Sequence, residues 1–243
     1  ELRAAHGAGE VAFFDDTFTL DRDRALSLCE KMLEEKKPLP WRCNSRVDRV
    51  DAELLALMRR AGCYSIGFGI ESGNAEVLKK CGKGITLEQV RNAVELARRA
   101  GIESRGYFIF NLHGDTRETM EETTQFALSL PLTVANFTMA LPYIGTRLRE
   151  IVENDPGCRV DSARWNDWSA YCDKEPLFTQ GDVRADELKK IISRAYSRFY
   201  LRPSYILRAL KRVNSIEQVK SYIFAAGWIL SATLSSFFGK KNR

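Results

Sequence analysis

Gly67-Phe-Gly-Ile-Glu-Ser-Gly73 is the third of four segments that share one pattern within this chain of 243 residues. Each segment begins as an apolar or aromatic run and ends in acidic, arginine or glycine residues; the other three are Phe14–Thr19, Trp41–Arg46 and Gly106–Thr116. Helix-period patterns separate them. Strands that alternate with helices predict a parallel sheet, with functional groups at the carboxyl ends of its strands. The pattern is therefore typical of a parallel α/β barrel.

The predicted elements follow from hydrophobic periodicity. Strands are expected at 11–14, 41–44, 64–70, 107–110 and 134–140, and helices between them and again from about Ala185. Thr86 and Gln89 form a capping-box pattern at one helix start. Residues 155–183 show little periodicity, so they are expected to be irregular. This places a barrel domain in residues 1–154 and an extension, irregular and then helical, in residues 155–243.

Charge is distributed unevenly along the chain. Residues 184–243 hold 13 Lys/Arg and 3 Asp/Glu, whereas the first 183 residues carry a net charge of −5. A basic tail on an acidic domain indicates an anionic partner, such as a membrane surface or nucleic acid, or simply solvated helix faces. We expect no nucleic-acid partner.

The six cysteines, at positions 29, 43, 63, 81, 158 and 172, show no C-x2-C spacing. Neither a zinc site nor a secreted disulfide framework is indicated, and Cys43 and Cys63 are expected in the core. No signal peptide is visible, so a reducing cytoplasm is expected. The chain also has no GxGxxG and no P-loop, so no motif supports a nucleotide-binding Rossmann fold or an NTPase.

Several motifs taken together resemble the core of radical S-adenosylmethionine (SAM) enzymes. They are DDTFT at 15–19, W-x-C-x-x-R at 41–46, FGIESG at 68–73, KGITxEQ at 83–89, GDT at 114–116 and PYxGT at 142–146. The segment FYLRP at 199–203 is similar to the C-terminal part of the branch fused to a cobalamin-binding domain. The resemblance covers most of the chain, and GIESG in its flanks is its most specific part.

The resemblance implies a partial (β/α)6 barrel that holds SAM against a [4Fe-4S] cluster, here lacking its first strand and carrying a helical C-terminal extension. SAM cleavage would yield a 5′-deoxyadenosyl radical. Methylation or cyclisation of a lipid, tetrapyrrole or natural-product intermediate would follow, with an external electron donor and, in this branch, cobalamin. No catalytic residue can be named from the sequence.

The resemblance also implies which residues contact SAM. In family members the end of the second barrel strand, here residues 15–17, supplies acceptors for the SAM amino group, and the GIESG strand end contacts its ribose or methionyl part. The candidates are Asp15, Asp16, Thr17, Arg46, Glu71, Ser72 and Gly73. Arg46 would pair with the SAM carboxylate in a bidentate manner.

Each candidate has an alternative structural role. Asp15 and Asp16 can cap the next helix, Glu71 can lie in a surface turn, and Arg46 can pair with Asp48 or Asp51. Lys83 is expected to be solvated.

The chain departs from the family pattern at two places. The cluster motif C-x3-C-x2-C is absent, which predicts that the chain begins after the first strand and its cluster loop and that these 243 residues alone hold no cluster. The pattern G-L-P-G-E-T reads Asn111-Leu-His-Gly-Asp-Thr116, which weakens the inference of SAM contacts there. His113 is a candidate proton-transfer group or a loop histidine without a role.

Residues 222–238 contain no charged side chain and are flanked by Lys220 and Lys240. A helix of this length spans about 26 Å, short of the bilayer core, so it would lie at a membrane interface or pack on protein. Membrane-surface contact through residues 220–243 is therefore one expectation.

Two other functions compete with the radical SAM enzyme. One is a barrel remnant that acts as a binding or scaffold protein through its basic tail. The other is an aldolase-type barrel enzyme, for which no Schiff-base lysine or metal-ligand set is evident.

Overall fold

The computed structural model describes residues 5–34, 38–161, 175–212 and 227. Five strands form one sheet in which each strand lies beside its sequence neighbour: β1 Val11–Ala12, β2 Trp41–Ser45, β3 Cys63–Glu71, β4 Glu103–Phe110 and β5 Val134–Met139. The β1–β2, β2–β3 and β3–β4 pairs are parallel. Sequential parallel order is what right-handed βαβ connections produce, and it confirms the α/β partial barrel.

Helices lie between the strands and after them, close to the predicted positions. They are α1 Arg22–Leu33, α2 Ala52–Arg60, α3 Ala75–Lys80, α4 Leu87–Arg99, α5 Arg117–Ser129, α6 Arg147–Asn154, α7 Ala185–Tyr200 and α8 Pro203–Arg212. A short 3-10 helix, Val47–Arg49, follows β2. The helices that resume at Ala185 agree with the prediction.

Side-chain caps explain where several of these helices begin. Asp21, Asp51, Asn74 and Thr146 each accept a backbone N–H from the first turn of α1, α2, α3 and α6. The capping box at α4 is confirmed: Gln89 Oε1 accepts from the Thr86 N–H at 2.8 Å, and Thr86 Oγ1 accepts from the Gln89 N–H at 3.1 Å. These bonds satisfy orphan donors that local sequence alone identifies.

The two faces of the sheet differ in burial. On β2 and β4, burial alternates residue by residue: Cys43 and Phe108 are buried in the core, whereas Arg42 and Tyr107 are half-buried. This alternation follows from the two-residue period of a strand. Cys43 and Cys63 lie in the core as expected. We call the half-buried side of β2, β3 and β4 the open face.

Contacts divide the chain into two compact units. The first comprises Glu1–Phe108 and Ser129–Asn136, and the second comprises Ile109–Leu128 and Phe137–Arg243. The predicted boundary between residues 154 and 155 stays a prediction.

The second unit has an aromatic core and a small additional sheet. Phe137 stacks on Phe110 with ring centroids 5.6 Å apart and meets Tyr196 edge-on at 5.3 Å. Two short strands, β6 (Cys158–Val160) and β7 (Phe178–Gln180), pair antiparallel where only irregular structure was expected. Strands of three residues are too short to produce a recognisable alternation in the sequence.

The apolar stretch 222–238 lies outside the described residues, apart from Gly227. In the described part of the chain, no helix has both the length and the hydropathy needed to cross a bilayer. The expected membrane contact through residues 220–243 therefore stays a prediction.

Candidate functional site

The candidate SAM-binding residues lie at the carboxyl ends of three neighbouring strands of the first unit. Residues 15–17 follow β1, Arg46 follows β2, and Glu71 is the last residue of β3. Because parallel strands end at the same edge of a sheet, these groups share one edge. This is the edge where barrel enzymes hold their functional groups.

Hydrogen bonds fix the loop after β1 against the end of β2. The Phe18 N–H donates to the Asn44 carbonyl at 2.9 Å. Beside it, the buried hydroxyls of Thr19 and Ser45 are in direct hydrogen-bond contact. The loop that carries residues 15–17 is therefore anchored at its far end.

The carboxylates of this loop are accessible and only weakly engaged. Asp15 accepts from Arg24 Nη2 at 3.2 Å in a partly exposed ion pair, and Asp16 is exposed. Asp21 supplies the N-cap of α1, so the alternative in which Asp15 and Asp16 cap that helix is wrong. Both carboxylates can thus accept hydrogen bonds from a ligand amino group. Thr17 is half-buried between them and the anchored Phe18.

Arg46 is engaged by a neighbouring carboxylate. Its Nε and Nη2 donate to the two oxygens of Asp48 at 2.9 and 3.0 Å, and Nη2 also donates to the Lys83 carbonyl at 3.1 Å. The Arg46 guanidinium holds the pKa of Asp48 below its usual range. Asp51, the other alternative partner, instead binds Arg22. A ligand carboxylate would have to displace Asp48 from the Nε and Nη2 groups of Arg46.

Glu71 forms an ion pair with Lys83, at 2.7 Å between Oε1 and Nζ. Both side chains are less than one-fifth exposed, at 18% and 19%. The expectation that Lys83 is solvated is therefore wrong. A Cβ on Gly69 would lie 2.7 Å from Glu71 Oε1 and 2.9 Å from Lys83 Nζ, so the absence of a side chain at position 69 makes room for this pair.

The backbone of Glu71 is left-handed, with φ of 68°. This conformation is strained for a non-glycine residue, and such strain concentrates at ligand sites. It also ends the regular pairing of β3 with β4, whose register shifts between Gly69 and Glu71. The turn thus aims the Glu71 carboxylate away from the direction that a regular strand would give.

Ser72 and Gly73 are buried within the turn that follows. Ser72 Oγ accepts the Asn74 N–H at 3.1 Å, and Asn74 in turn caps α3. In this arrangement the two residues position Glu71 and the start of α3. Their direct contact with SAM stays a prediction.

The loop after β4 belongs to the second unit and is held by Gln180, which sequence reasoning missed. Gln180 Nε2 donates to Asn111 Oδ1 at 3.1 Å and to the Leu112 carbonyl at 2.7 Å, and Oε1 accepts the Gly114 N–H at 2.9 Å. Gln180 lies in the segment without periodicity, so no signal pointed to it. It fixes the loop in one shape.

Two departures from the family pattern in this loop have structural explanations. Asn111 adopts a left-handed φ of 62°, a conformation that asparagine tolerates better than most residues, and its Nδ2 donates to the Phe178 carbonyl at 3.0 Å. His113 Nε2 lies 2.9 Å from Asp155 Oδ2, so this histidine has a partner.

Asp115 and Thr116 precede α5. The residue that accepts the Thr119 N–H is Thr116, through Oγ1 at 3.3 Å. Asp115 Oδ2 instead accepts the Leu112 N–H at 2.9 Å and closes the loop.

The described cysteines do not suit an iron–sulfur cluster. Cluster ligands are thiolates, but burial raises the pKa of Cys29 to about 11, and a hydrogen bond with Cys63 together with burial raises the pKa of Cys43. Among the residues that the structure describes, no three His, Cys, Asp or Glu side chains are placed to hold a metal ion. By contrast, the carboxylates and the guanidinium at the strand ends suit the amino, hydroxyl and carboxylate groups of SAM.

The chain is similar to curated enzymes over most of its length. The chain is 34% identical over 208 residues to an uncharacterized methyltransferase of Pyrococcus horikoshii, a match that covers 85% of the chain and 44% of that protein. It is 30% identical over 201 residues to an anaerobic magnesium-protoporphyrin IX monomethyl ester cyclase of Cereibacter sphaeroides, covering 81% of the chain and 32% of the cyclase. The chain thus spans less than half the length of these curated relatives.

Solved structures show the same architecture. The radical SAM methyltransferase TsrM of Kitasatospora setae, solved with cobalamin and a [4Fe-4S] cluster, superposes with a TM-score of 0.58 at 25% identity, over 66% of this chain and 34% of TsrM. The cobalamin-dependent radical enzyme OxsB shares the fold, with a TM-score of 0.59 over 93% of this chain and 40% of OxsB. Residues 1–127 match the sequence pattern of the Radical SAM superfamily. With its parallel sheet and its strand-end carboxylates, this chain belongs to the radical SAM superfamily and resembles its cobalamin-linked branch.

Proposed function

We propose that this chain provides the SAM-binding strand ends of a radical SAM enzyme of the cobalamin-linked branch. One observation carries the proposal: hydrogen bonds connect three successive strand ends, and these ends carry the carboxylates and the guanidinium that suit the polar groups of SAM. Phe18 bonds to Asn44, Arg46 bonds to the Lys83 carbonyl, and Lys83 pairs with Glu71. When bound, SAM supplies the 5′-deoxyadenosyl group that reductive cleavage converts to a radical.

Each strand end has a role that its chemistry supports. Asp15 and Asp16 accept hydrogen bonds from the SAM ammonium group. Arg46 turns from Asp48 to the SAM carboxylate, which offers the same two-oxygen geometry. Glu71 accepts two ribose hydroxyls through its two oxygens, and Lys83 holds that carboxylate in place.

The remaining cofactors are assigned to the whole protein. TsrM contains a [4Fe-4S] cluster and cobalamin, and we propose that the complete enzyme uses both, with an external electron donor. The described residues of this chain provide no cluster ligand set.

The reaction class follows from the relatives. One is a cytidylyl-2-hydroxyethylphosphonate methyltransferase of Streptomyces wedmorensis, which is 32% identical over 154 residues, 60% of this chain and 29% of that enzyme. Together with the magnesium-protoporphyrin ester cyclase, it supports methylation or cyclisation of a small-molecule intermediate, and a lipid is the other substrate class that we propose. Contact with a membrane surface through residues 220–243 is part of the proposal if that intermediate is a lipid.

Isothermal titration of the full-length protein with SAM tests this function. Changing Glu71 to Ala should weaken SAM binding by about 1–3 kcal/mol, or about 5- to 150-fold, because two ribose hydroxyls lose their acceptor. Glu76→Ala, on the exposed side of α3, is the matched control and should leave affinity unchanged. Equal affinities of the Glu71→Ala and Glu76→Ala variants would remove Glu71 from the site.

A further inference from the structure

A second polar site lies on the open face, below the strand ends. A cavity of about 80 Å³ is lined there by side chains of β2, β3 and β4 and by the chain after β1, among them Phe13, Arg42, Asn44, Ser65, Arg105 and Tyr107. A space of this size holds a few water molecules or one small polar group. All of its lining residues belong to the first unit.

Arg105 presents free donors to this cavity. Its Nε donates to Ser65 Oγ at 3.0 Å, and Ser65 is only 1% exposed, so this bond fixes the direction of the guanidinium. No carboxylate of the described residues forms an ion pair with Arg105. The guanidinium of Arg105 is thus oriented, and no anionic side chain among the described residues binds its terminal N–H groups.

Asn44 also leaves a donor at this cavity. The Tyr107 hydroxyl donates to Asn44 Oδ1 at 3.3 Å, which occupies the acceptor of the amide and leaves its NH₂ group. The bond crosses Gly67, where a Cβ would overlap Asn44 Oδ1 and lie 2.7 Å from Tyr107 Cε2. Glycine at position 67 therefore permits this arrangement.

Arg42 is the second cation of the cavity. Its nearest carboxylate in the described chain, that of Glu10, lies 3.7 Å from Nε, beyond hydrogen-bond distance, and the two side chains are 36% and 54% exposed. Glu10 also accepts from the Tyr64 hydroxyl at 3.1 Å, and it does not line the cavity. Such an exposed pair contributes little, so Arg42 can exchange Glu10 for a ligand.

We propose that this cavity binds an oxyanion of the substrate, a carboxylate or a phosphate, between Arg42 and Arg105. Two guanidinium groups and an amide NH₂ offer donors to one small space, which is the chemistry that recognises oxyanions. The substrate assignment rests on the proposed enzyme function.

An apolar part of the same molecule would lie on Phe13 and Phe14. The Phe13 ring is fixed by Phe18 and Trp41, with ring centroids 4.9 and 5.4 Å away, whereas Phe14 is 83% exposed at the cavity. Covering Phe14 would remove apolar surface from water and strengthen binding.

The site would anchor the substrate at a distance from the reacting atoms. Arg42 lies on β2 and Arg46 follows the end of that strand, four residues later, which is roughly 13 Å at the rise of a strand. The substrate is therefore expected to carry its acidic group well away from the atom that reacts beside SAM.

Titration calorimetry of the 243-residue chain with phenyl phosphate, benzoate and neutral benzyl alcohol tests the site. We expect at least one of the two anions to bind with at least tenfold higher affinity than the alcohol. Arg105→Gln and Arg42→Gln should each reduce that affinity about tenfold, the loss of one charge-assisted contact. Arg60→Gln, an exposed arginine of α2, is the matched control and should change nothing.

The two anions separate the two substrate types: stronger phenyl phosphate binding identifies a phosphate, and stronger benzoate binding identifies a carboxylate. Affinities unaffected by both cavity substitutions, or equal binding of the alcohol, would overturn the proposal. If the Arg105→Gln variant does not fold, Arg105→Lys replaces it. Lysine keeps the charge but lacks the planar guanidinium that binds two oxygens at once, so binding should still weaken. Unchanged affinity in the Arg105→Lys variant would also overturn the proposal.

SAM titration of the same variants, made in the full-length protein, distinguishes the two proposals. If anion binding depends on Arg42 and Arg105 while no protein binds SAM, the anion site stands and the proposed enzyme function fails. If SAM binds and neither substitution affects the anions, the anion site fails alone.

Discussion

Glu71 has a charged side chain in an ion pair and a backbone conformation that normally favours glycine. Its carboxylate pairs with Lys83, while its backbone adopts the left-handed region at φ 68°. A side chain with a Cβ costs about 1–2 kcal/mol in that region, whereas glycine adopts it freely. This strain lowers the stability of the fold, so it indicates that the role of Glu71 lies in what its carboxylate binds.

This strain predicts that glycine at position 71 is more stabilising than alanine, the reverse of the usual order. Glu71→Gly should be more stable than Glu71→Ala by about 1 kcal/mol, because glycine relieves the left-handed strain by more than it adds in unfolded-chain entropy. Both variants lose the same carboxylate and the same ion pair, so each is the control for the other. Urea unfolding measures the difference, and a more stable Ala variant would contradict a left-handed Glu71.

At the scale of the elements, α2 depends on the charge of its cap. Asp51 accepts the Leu54 N–H at 2.8 Å and pairs with Arg22 at 3.1 Å. The Leu54 hydrogen bond, followed by the Arg22 contact, holds the pKa of Asp51 below its usual range. A depressed carboxylate pKa contributes stability above the unfolded pKa, and this contribution is lost as the pH falls through the folded value.

Replacing this cap should therefore have a pH-dependent effect. Asp51→Ala should destabilise the protein by about 1 kcal/mol at pH 7, and the difference should shrink as Asp51 becomes protonated in acid. Asp51→Asn keeps a capping oxygen without a titrating charge, so it should remove the pH dependence that Asp51 contributes. Urea unfolding between pH 7 and acidic pH measures both, and a constant effect of Asp51→Ala across that range would contradict the charged cap.

The elements also show where local sequence is sufficient. The Thr86–Gln89 capping box and the positions of five strands were predictable, because caps and two- or 3.6-residue periods involve neighbours in the chain. The strands β6 and β7 were not predictable, since three residues form too short a run to show a period.

For the molecule as a whole, the described residues include carboxylates and a guanidinium that suit the polar groups of SAM. No group of three described His, Cys, Asp or Glu side chains is placed to bind a metal cluster. Anaerobic iron and sulfide reconstitution of the 243-residue chain should therefore yield no [4Fe-4S] EPR signal that SAM perturbs. A radical SAM enzyme with an intact C-x3-C-x2-C motif, treated identically, is the control and should give that signal. A SAM-perturbed signal from the 243-residue chain would show that its own residues ligate a cluster.

By itself, the sequence determined the parallel α/β class and the strand-end positions of the carboxylates and Arg46. Both depend on periodicity and on short motifs, which are properties of neighbouring residues. Only the tertiary structure decided how these groups are paired. Arg46 reaches the Lys83 carbonyl across 37 positions, and Arg105 reaches Ser65 across 40. Such contacts depend on the path of the backbone and on the side chains packed around it, and no local pattern encodes either.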